Sequence, residues 1–213
     1  MEFDLTQTDA LLSTTRAVRK RLDTDRPVPR AVIEECLELA VQAPTAGNGQ
    51  TWRWLVIDDA ELRAKIAECY RTALDASFFK DQSKAAADRG EAQTSRVYDS
   101  ADWLSDNMHK VPVFVIPCVE GRPDDGAGMA FQASVFASIY PAMWSFQLAL
   151  RSRGLGSTLT TLHLFKEREV AEILGLPDDI LQVALLPVGY TKGTDFKPAV
   201  RPPVSEITHW NGW

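Results

Sequence analysis

Three cysteines in 213 residues, Cys36, Cys69 and Cys118, make no C-x-x-C pair and no even-numbered set. Their scarcity excludes a disulfide framework and suits a reducing compartment, with the thiols read as core residues. An excess of positive charge is missing too. The chain has 23 basic against 29 acidic residues, a net charge of −6, so it lacks the overall basic field on which nucleic-acid or anionic-membrane affinity draws. The opening MEFDLTQTDA has neither a basic start nor an apolar run, so a cytoplasmic location is expected. No repeat, linker or low-complexity tract divides the sequence. Residues 1–213 read as one domain, large enough to bury roughly 70% of its unfolded surface.

Common catalytic signatures are also absent. No serine stands in G-x-S-x-G, the three histidines (His109, His163, His209) form no H-E-x-x-H, and there is no P-loop. Gly154-Leu155-Gly156 meets Leu159 where a third glycine belongs, and Gly47-Asn48-Gly49 follows a helix instead of a strand, so a Rossmann crevice is not expected. No protein nucleophile or metal site is expected either.

What is present alternates between helix and strand signals. Helices are expected over 9–15, from Pro29 to Pro44, over 60–74, 96–109, 140–153 and 166–174, the last capped by Gly175. Strands are expected over 53–58, 111–119, 156–160 and 181–190, of which VPVFVIPCV and LQVALLPVGY read as buried on both faces. Residues 75–95 and 121–128 read as loops, the former polar and suited to shaping a substrate opening. Gly126 to Leu150 carries no charge for 25 residues, but Gln132, Ser134, Ser138 and Gln147 would need partners in hydrocarbon, which favours a helix buried in protein. The tail beyond Tyr190 has no helical period. With Trp210 and Trp213 near its end, it is expected to lie on a partner subunit.

Two constellations carry chemistry. Between Arg16 and Arg30 six basic residues face only Asp23 and Asp25, so this stretch is +4 within a chain of net −6. Arg16, Arg19 and Lys20 can converge there on one small dianion through charge-assisted hydrogen bonds; the plainer alternative is a solvated cationic face. The second is Ala43–Trp52, APTAGNGQTW, a helix end followed by small and amide residues. It offers either a polar edge for a planar heterocycle or a simple hairpin turn at Asn48-Gly49.

Taken together, Arg16-x-x-x-Lys20-x-Leu22-Asp23, APTAGNGQTW, Arg153-Gly154-Leu155-Gly156-Ser157, LLPVGY at 185–190 and Arg201-Pro202-Pro203 resemble the FMN-dependent nitroreductase family over most of the chain. The resemblance implies an α+β fold, with a mostly antiparallel central sheet flanked by helices, in an intertwined homodimer with FMN at the subunit interface. It further implies that Arg16 and Lys20 hold FMN, that Ala17 and Val18 line it, and that Arg201 reaches its phosphate. Pro44, Thr45, Ala46 and Asn48 would contact the flavin of the neighbouring subunit, and the strand through Thr160 and Thr161 would pass the flavin N5 edge. Val18 stands where many relatives have serine, Thr161-Leu162 where they have an acidic-glycine or double-glycine pair, and Ala199 where some have a second basic residue.

The activity implied is hydride transfer from NAD(P)H through FMN to a small electrophilic acceptor such as a nitroaromatic or quinone, in ping-pong order. Alternatives are reduction of an activated alkene, aldehyde or halogenated substrate, or a non-catalytic flavin-binding or storage role.

Overall fold

The computed structural model describes residues 2–77, 79–124 and 126–213. In chain order its elements are α1 (Leu5–Thr14), α2 (Arg30–Ala40), β1 (Trp52–Ile57), α3 (Ala60–Asp75), α4 (Phe79–Asp88), α5 (Ala92–Asn107), β2 (Val113–Glu120), α6 (Met129–Ala137), α7 (Tyr140–Ser152), β3 (Leu155–Ser157), α8 (Glu167–Leu174), β4 (Ile180–Gln182) and β5 (Leu186–Tyr190). The strands form one sheet in the order β1-β2-β5-β3, with β4 beside the far end of β2, and all of these pairs are antiparallel. This is the α+β arrangement expected.

Strand β2 shows why the core has two layers. Phe114, Ile116 and Cys118 pack with Ile66 and Tyr70 of α3 and Leu104 of α5. Val113 and Val115, on the other face, pack with Ile33 and Cys36 of α2 and with Phe146 and Leu150 of α7. A strand covered on both sides needs no polar alternation, which accounts for the unbroken apolar run. Helix α7 begins with Pro141 in its first turn, where a missing N–H leaves no bond unmade, and it buries Met143, Phe146 and Gln147. The uncharged stretch 126–150 is thus spent on α6 and α7, and none of the described helices is long and apolar enough to cross a membrane. Gly175 ends α8 in the left-handed region at φ 65°, as anticipated.

Two expectations are corrected. The segment 75–95, expected as a loop, is largely α4 and the start of α5; residue 78 within it, like residue 125 of the expected loop 121–128, lies outside the described residues. Helix α4 is polar on average and owes its helix propensity to alanines, so its signal in the sequence is faint, yet Ala86 is fully buried. LQVALLPVGY, expected as one strand, is β4 and β5. Cys118 pairs with Gln182 and Val115 with Leu186, so residues 183–185 stand opposite only Ile116 and Pro117. The extra residue is a β-bulge, placed where Pro117 has no N–H to offer the ladder. Its consequence is functional: Leu185, freed from β2, exchanges both backbone hydrogen bonds with Thr160 (3.0 and 2.8 Å) and fixes the segment after β3.

Gly156 sits where β3 meets the N-terminal segment. A Cβ there would come within 2.7 Å of Thr191 Cγ2 and 2.9 Å of Val18 Cβ. Gly156→Ala is expected to lower unfolding stability by about 1–3 kcal/mol, read as a reduced urea midpoint at unchanged m-value.

Candidate functional site

Segment 17–23 runs along the sheet end. Val18 N–H donates to Ser157 O (2.9 Å), Asp23 N–H to Tyr190 O (2.8 Å), and Lys192 N–H returns to Arg21 O (2.8 Å). Val18 and Leu22 turn into the core, whereas Arg16, Ala17 and Arg19 line a cavity of about 730 Å³.

The C-terminal tail reaches the same cavity because its start is clamped. Phe196 lies against the guanidiniums of both Arg21 and Arg151, whose central carbons are 4.1 and 4.6 Å from the ring centroid. Arg21 Nε donates to Lys192 O (2.9 Å) and Arg151 Nη2 to Thr194 O (3.1 Å), and Arg21 pairs with Asp195 at 2.6 Å. Arg16 Nη1 then donates to Lys197 O (3.1 Å), which brings Lys197 and Arg201 onto the cavity wall. Trp144 and Gln147 of α7, Leu159 after β3, and Gln93, Arg96, Val97 and Ser100 of α5 complete the lining.

Charge is the distinguishing property of this cavity. Arg16, Arg19, Arg96, Lys197 and Arg201 line it, and among the described residues no carboxylate does and none of the five cations is ion-paired. Burial pushes the Arg19 pKa down, partly opposed by nearby Tyr70, but a guanidinium stays charged at neutral pH. Arg16 and Arg19 are half-buried and Arg96, Lys197 and Arg201 exposed, and five cations around a volume typical of small-molecule sites suit an anionic ligand.

The model of the Nitroreductase family matches residues 12–190. The chain belongs to that family. It is similar to the 5,6-dimethylbenzimidazole synthase of Rhodobacter capsulatus (26% identical, covering all of this chain and 95% of that one) and to rat iodotyrosine deiodinase 1 (26% identical over 84% of this chain). The match spans 60% of the rat protein's length. Among solved structures, the FMN- and NADPH-dependent nitroreductase NfnB from Sphigopyxis sp. strain HMH superposes with a TM-score of 0.70 at 20% identity, over 96% of this chain and 99% of that one. At that identity the likeness is one of fold.

Within the nitroreductase frame, the residues expected at the site separate into three groups. Arg16, Ala17 and Arg201, from opposite ends of the sequence, do meet at the cavity. Lys20 does not line it: its ammonium is 2.6 Å from Asp99 of α5, and Arg19, its neighbour, takes the cavity position and donates to Ser100 Oγ (3.3 Å). Val18 is core, and Thr160 turns its hydroxyl to Tyr70 Oη (3.1 Å), while Thr161 is exposed just outside. Pro44, Ala46 and Asn48 are exposed and Thr45 half-buried, in a turn that does not line the cavity. There Gly47 and Asn48 adopt φ of 57° and 54°, and Ala46 N–H donates to Ser138 Oγ (3.0 Å). Sequence reasoning missed Arg96, Lys197 and Gln147, whereas Gln93 falls in the segment 75–95 expected to shape a substrate opening. A signal existed for α5, since residues 93, 96, 97 and 100 are spaced to share one helical face.

The buried titratable groups nearby offer no nucleophile. Burial pushes the Cys69 and Cys118 thiols up to about 11 and about 12. His163, two residues beyond Thr161, is fully buried; neither ring nitrogen has a partner among the described residues, and burial pushes its pKa down to about 3. An unfolded histidine takes up its proton near pH 6.5. The unfolded state therefore binds more protons between pH 6.5 and about 3, and stability falls as pH drops through that window, by up to about 1.4 kcal/mol per unit. His163→Leu is expected to flatten the dependence of unfolding free energy on pH below 6.5 by about one proton's worth, measured by urea titration between pH 4 and 7.

Proposed function

We propose that the cavity binds FMN and that the chain acts as an NAD(P)H-dependent FMN oxidoreductase in a homodimer. One observation carries the reading: cations from both chain ends converge, without a carboxylate, on a cavity large enough for a mononucleotide in a chain of this family. Bound FMN supplies the chemistry, passing two electrons and a proton from NAD(P)H to a small electrophilic acceptor, a nitroaromatic or quinone, which takes its second proton from water.

The protein's part is binding, orientation and charge. Arg16, Lys197 and Arg201 hold the phosphate, each through hydrogen bonds that ionisation strengthens on both sides. Ala17, lacking bulk, lets backbone approach the ring, and Leu159 with Thr160 and Thr161 borders its reactive edge. Arg19, not Lys20, supplies the cation beside the ring system, because Lys20 is already neutralised by Asp99. Pro44, Thr45, Ala46 and Asn48 lie outside this chain's own cavity and serve the cavity of a second copy. The exposed Ile207, Trp210 and Trp213 of the tail, with Phe131 and Tyr140 of α6 and α7, are apolar surface that such a copy would cover. The likeness to iodotyrosine deiodinase favours a halogenated aromatic as the second acceptor class to examine.

Purified protein is expected to be yellow, to bleach anaerobically with NADH or NADPH and to recover colour with a nitroaromatic or quinone. Colourless protein that takes up no FMN refutes the reading, and yellow protein inert to both nicotinamides points to storage. Arg16→Ala is expected to weaken FMN binding at least tenfold, in line with about 1.5–3 kcal/mol for a hydrogen bond to a charged group. Arg19→Met is expected to lower the flavin reduction potential measurably, and Lys20→Met to change it less.

A further inference from the structure

The cavity holds more positive charge than FMN can use. A phosphate monoester carries about two negative charges at neutral pH, so of the five cations about three remain uncompensated once the cofactor is bound. Their positions differ. Arg16, Lys197 and Arg201 form one group, joined by the hydrogen bond from Arg16 to Lys197 O. Arg96 stands on α5, in a segment of the chain that neither end of the phosphate site reaches by sequence.

Helix α5 has a distinct geometry. Gln93, Arg96, Val97 and Ser100 are spaced i, i+3, i+4 and i+7, so they form one stripe of the helix, and all four line the cavity. Two bonds fasten the helix to the cofactor segment: Arg19 donates to Ser100 Oγ of the stripe (3.3 Å), and Lys20 pairs with Asp99 beside it (2.6 Å). Ser100 and Arg19 are thereby engaged with each other. Arg96 is left as the cation of the stripe with no hydrogen bond or ion pair among the described residues, beside the half-exposed Val97 and the amide of Gln93. A planar guanidinium fork next to an apolar patch and an amide matches an aromatic ring that carries a carboxylate.

We infer that α5 is the acceptor-recognition wall of this site and that Arg96 selects acceptors bearing a carboxylate. The inference rests on the FMN reading and deepens it. Arg96 does not hold the cofactor; it discriminates among the molecules that come to it, so its removal separates affinity for a charged acceptor from everything else the site does.

The test uses the yellow holoprotein and a matched pair of probes, 4-nitrobenzoate and 4-nitrobenzamide, which differ by one charge at similar shape. Titration calorimetry reads binding whether or not either probe turns over. Wild type is expected to bind the benzoate at least tenfold more tightly than the amide at low salt. Arg96→Gln is expected to abolish that preference while FMN content, the dissociation constant of the amide and the rate of bleaching by NADPH stay within about twofold; Arg96→Lys should retain part of it. Equal affinity of wild type for the two probes overturns the inference, as does a preference that survives Arg96→Gln. Loss of FMN in Arg96→Gln overturns it in favour of a phosphate contact, and a selectively raised KM for NADPH over NADH in favour of a nicotinamide contact. A wild-type protein that neither contains nor takes up FMN fails the underlying reading instead, a separate result visible before any probe is added.

Discussion

Everything at the site depends on residues 17–23 being sewn into the end of the sheet. Three backbone hydrogen bonds do this, from Val18 to Ser157, from Asp23 to Tyr190 and from Lys192 back to Arg21, and they tie the N-terminal segment to β3 and to the chain that leaves β5. Because Lys192 opens the tail, the same stitching makes the two ends of the polypeptide neighbours. Gly156 is the permissive element, since a side chain at that point would collide with Val18 and Thr191 together. Once the segment is seated, sterics decide the rest: Val18 and Leu22 have apolar space beneath them, and the arginines are left to the open side.

The tail obeys a second constraint that follows from the first. Arg21, held by its place in the stitched segment, reaches Phe196, Lys192 and Asp195, and Arg151 from α7 approaches the same ring. Exposed ion pairs and cation–π contacts are individually weak, about 1 kcal/mol or less. Several converging on six residues are enough to choose among the conformations of a segment without secondary structure. Lys197 is therefore positioned by the clamp at Phe196 and by its own bond to Arg16, and Arg201 by contacts a few residues upstream, which is how a tail with little internal order can contribute to a defined site.

Much of the fold was legible beforehand because its signals are local. The apolar run of β2, the stripe of α2, Pro141 at the head of α7 and Gly175 behind α8 each state a conformation within a few residues. The elements that escaped depend on information outside the window. Helix α4 is carried by alanine propensity and by packing against α5, with Ala86 buried, and the break between β4 and β5 answers a proline in a different strand. The site divides in the same way. That Arg16 and Arg201 belong together was readable from family-like spacing, but spacing also nominated Lys20, whereas the reading of Arg16, Arg19 and Lys20 as converging on one dianion had kept Arg19 in view. Which of two adjacent cations faces a cavity depends on whether an acid waits on the other side. Asp99, some 80 residues away, is invisible to any rule about spacing in the basic stretch.

The charge pattern has a consequence for rate as well as affinity. A net charge of −6 that includes five cations lining the cavity leaves the remaining chain at about −11, so the cavity is a positive island on an acidic protein. A low-dielectric wall around such an island focuses its field outward, toward an approaching anion. Small anions such as a nucleotide phosphate or a carboxylate fit inside the opening, within a Debye length of about 8 Å from the cations at physiological salt. Local convergence of charge within a chain of net negative charge thus makes the basic stretch compatible with a small anionic ligand.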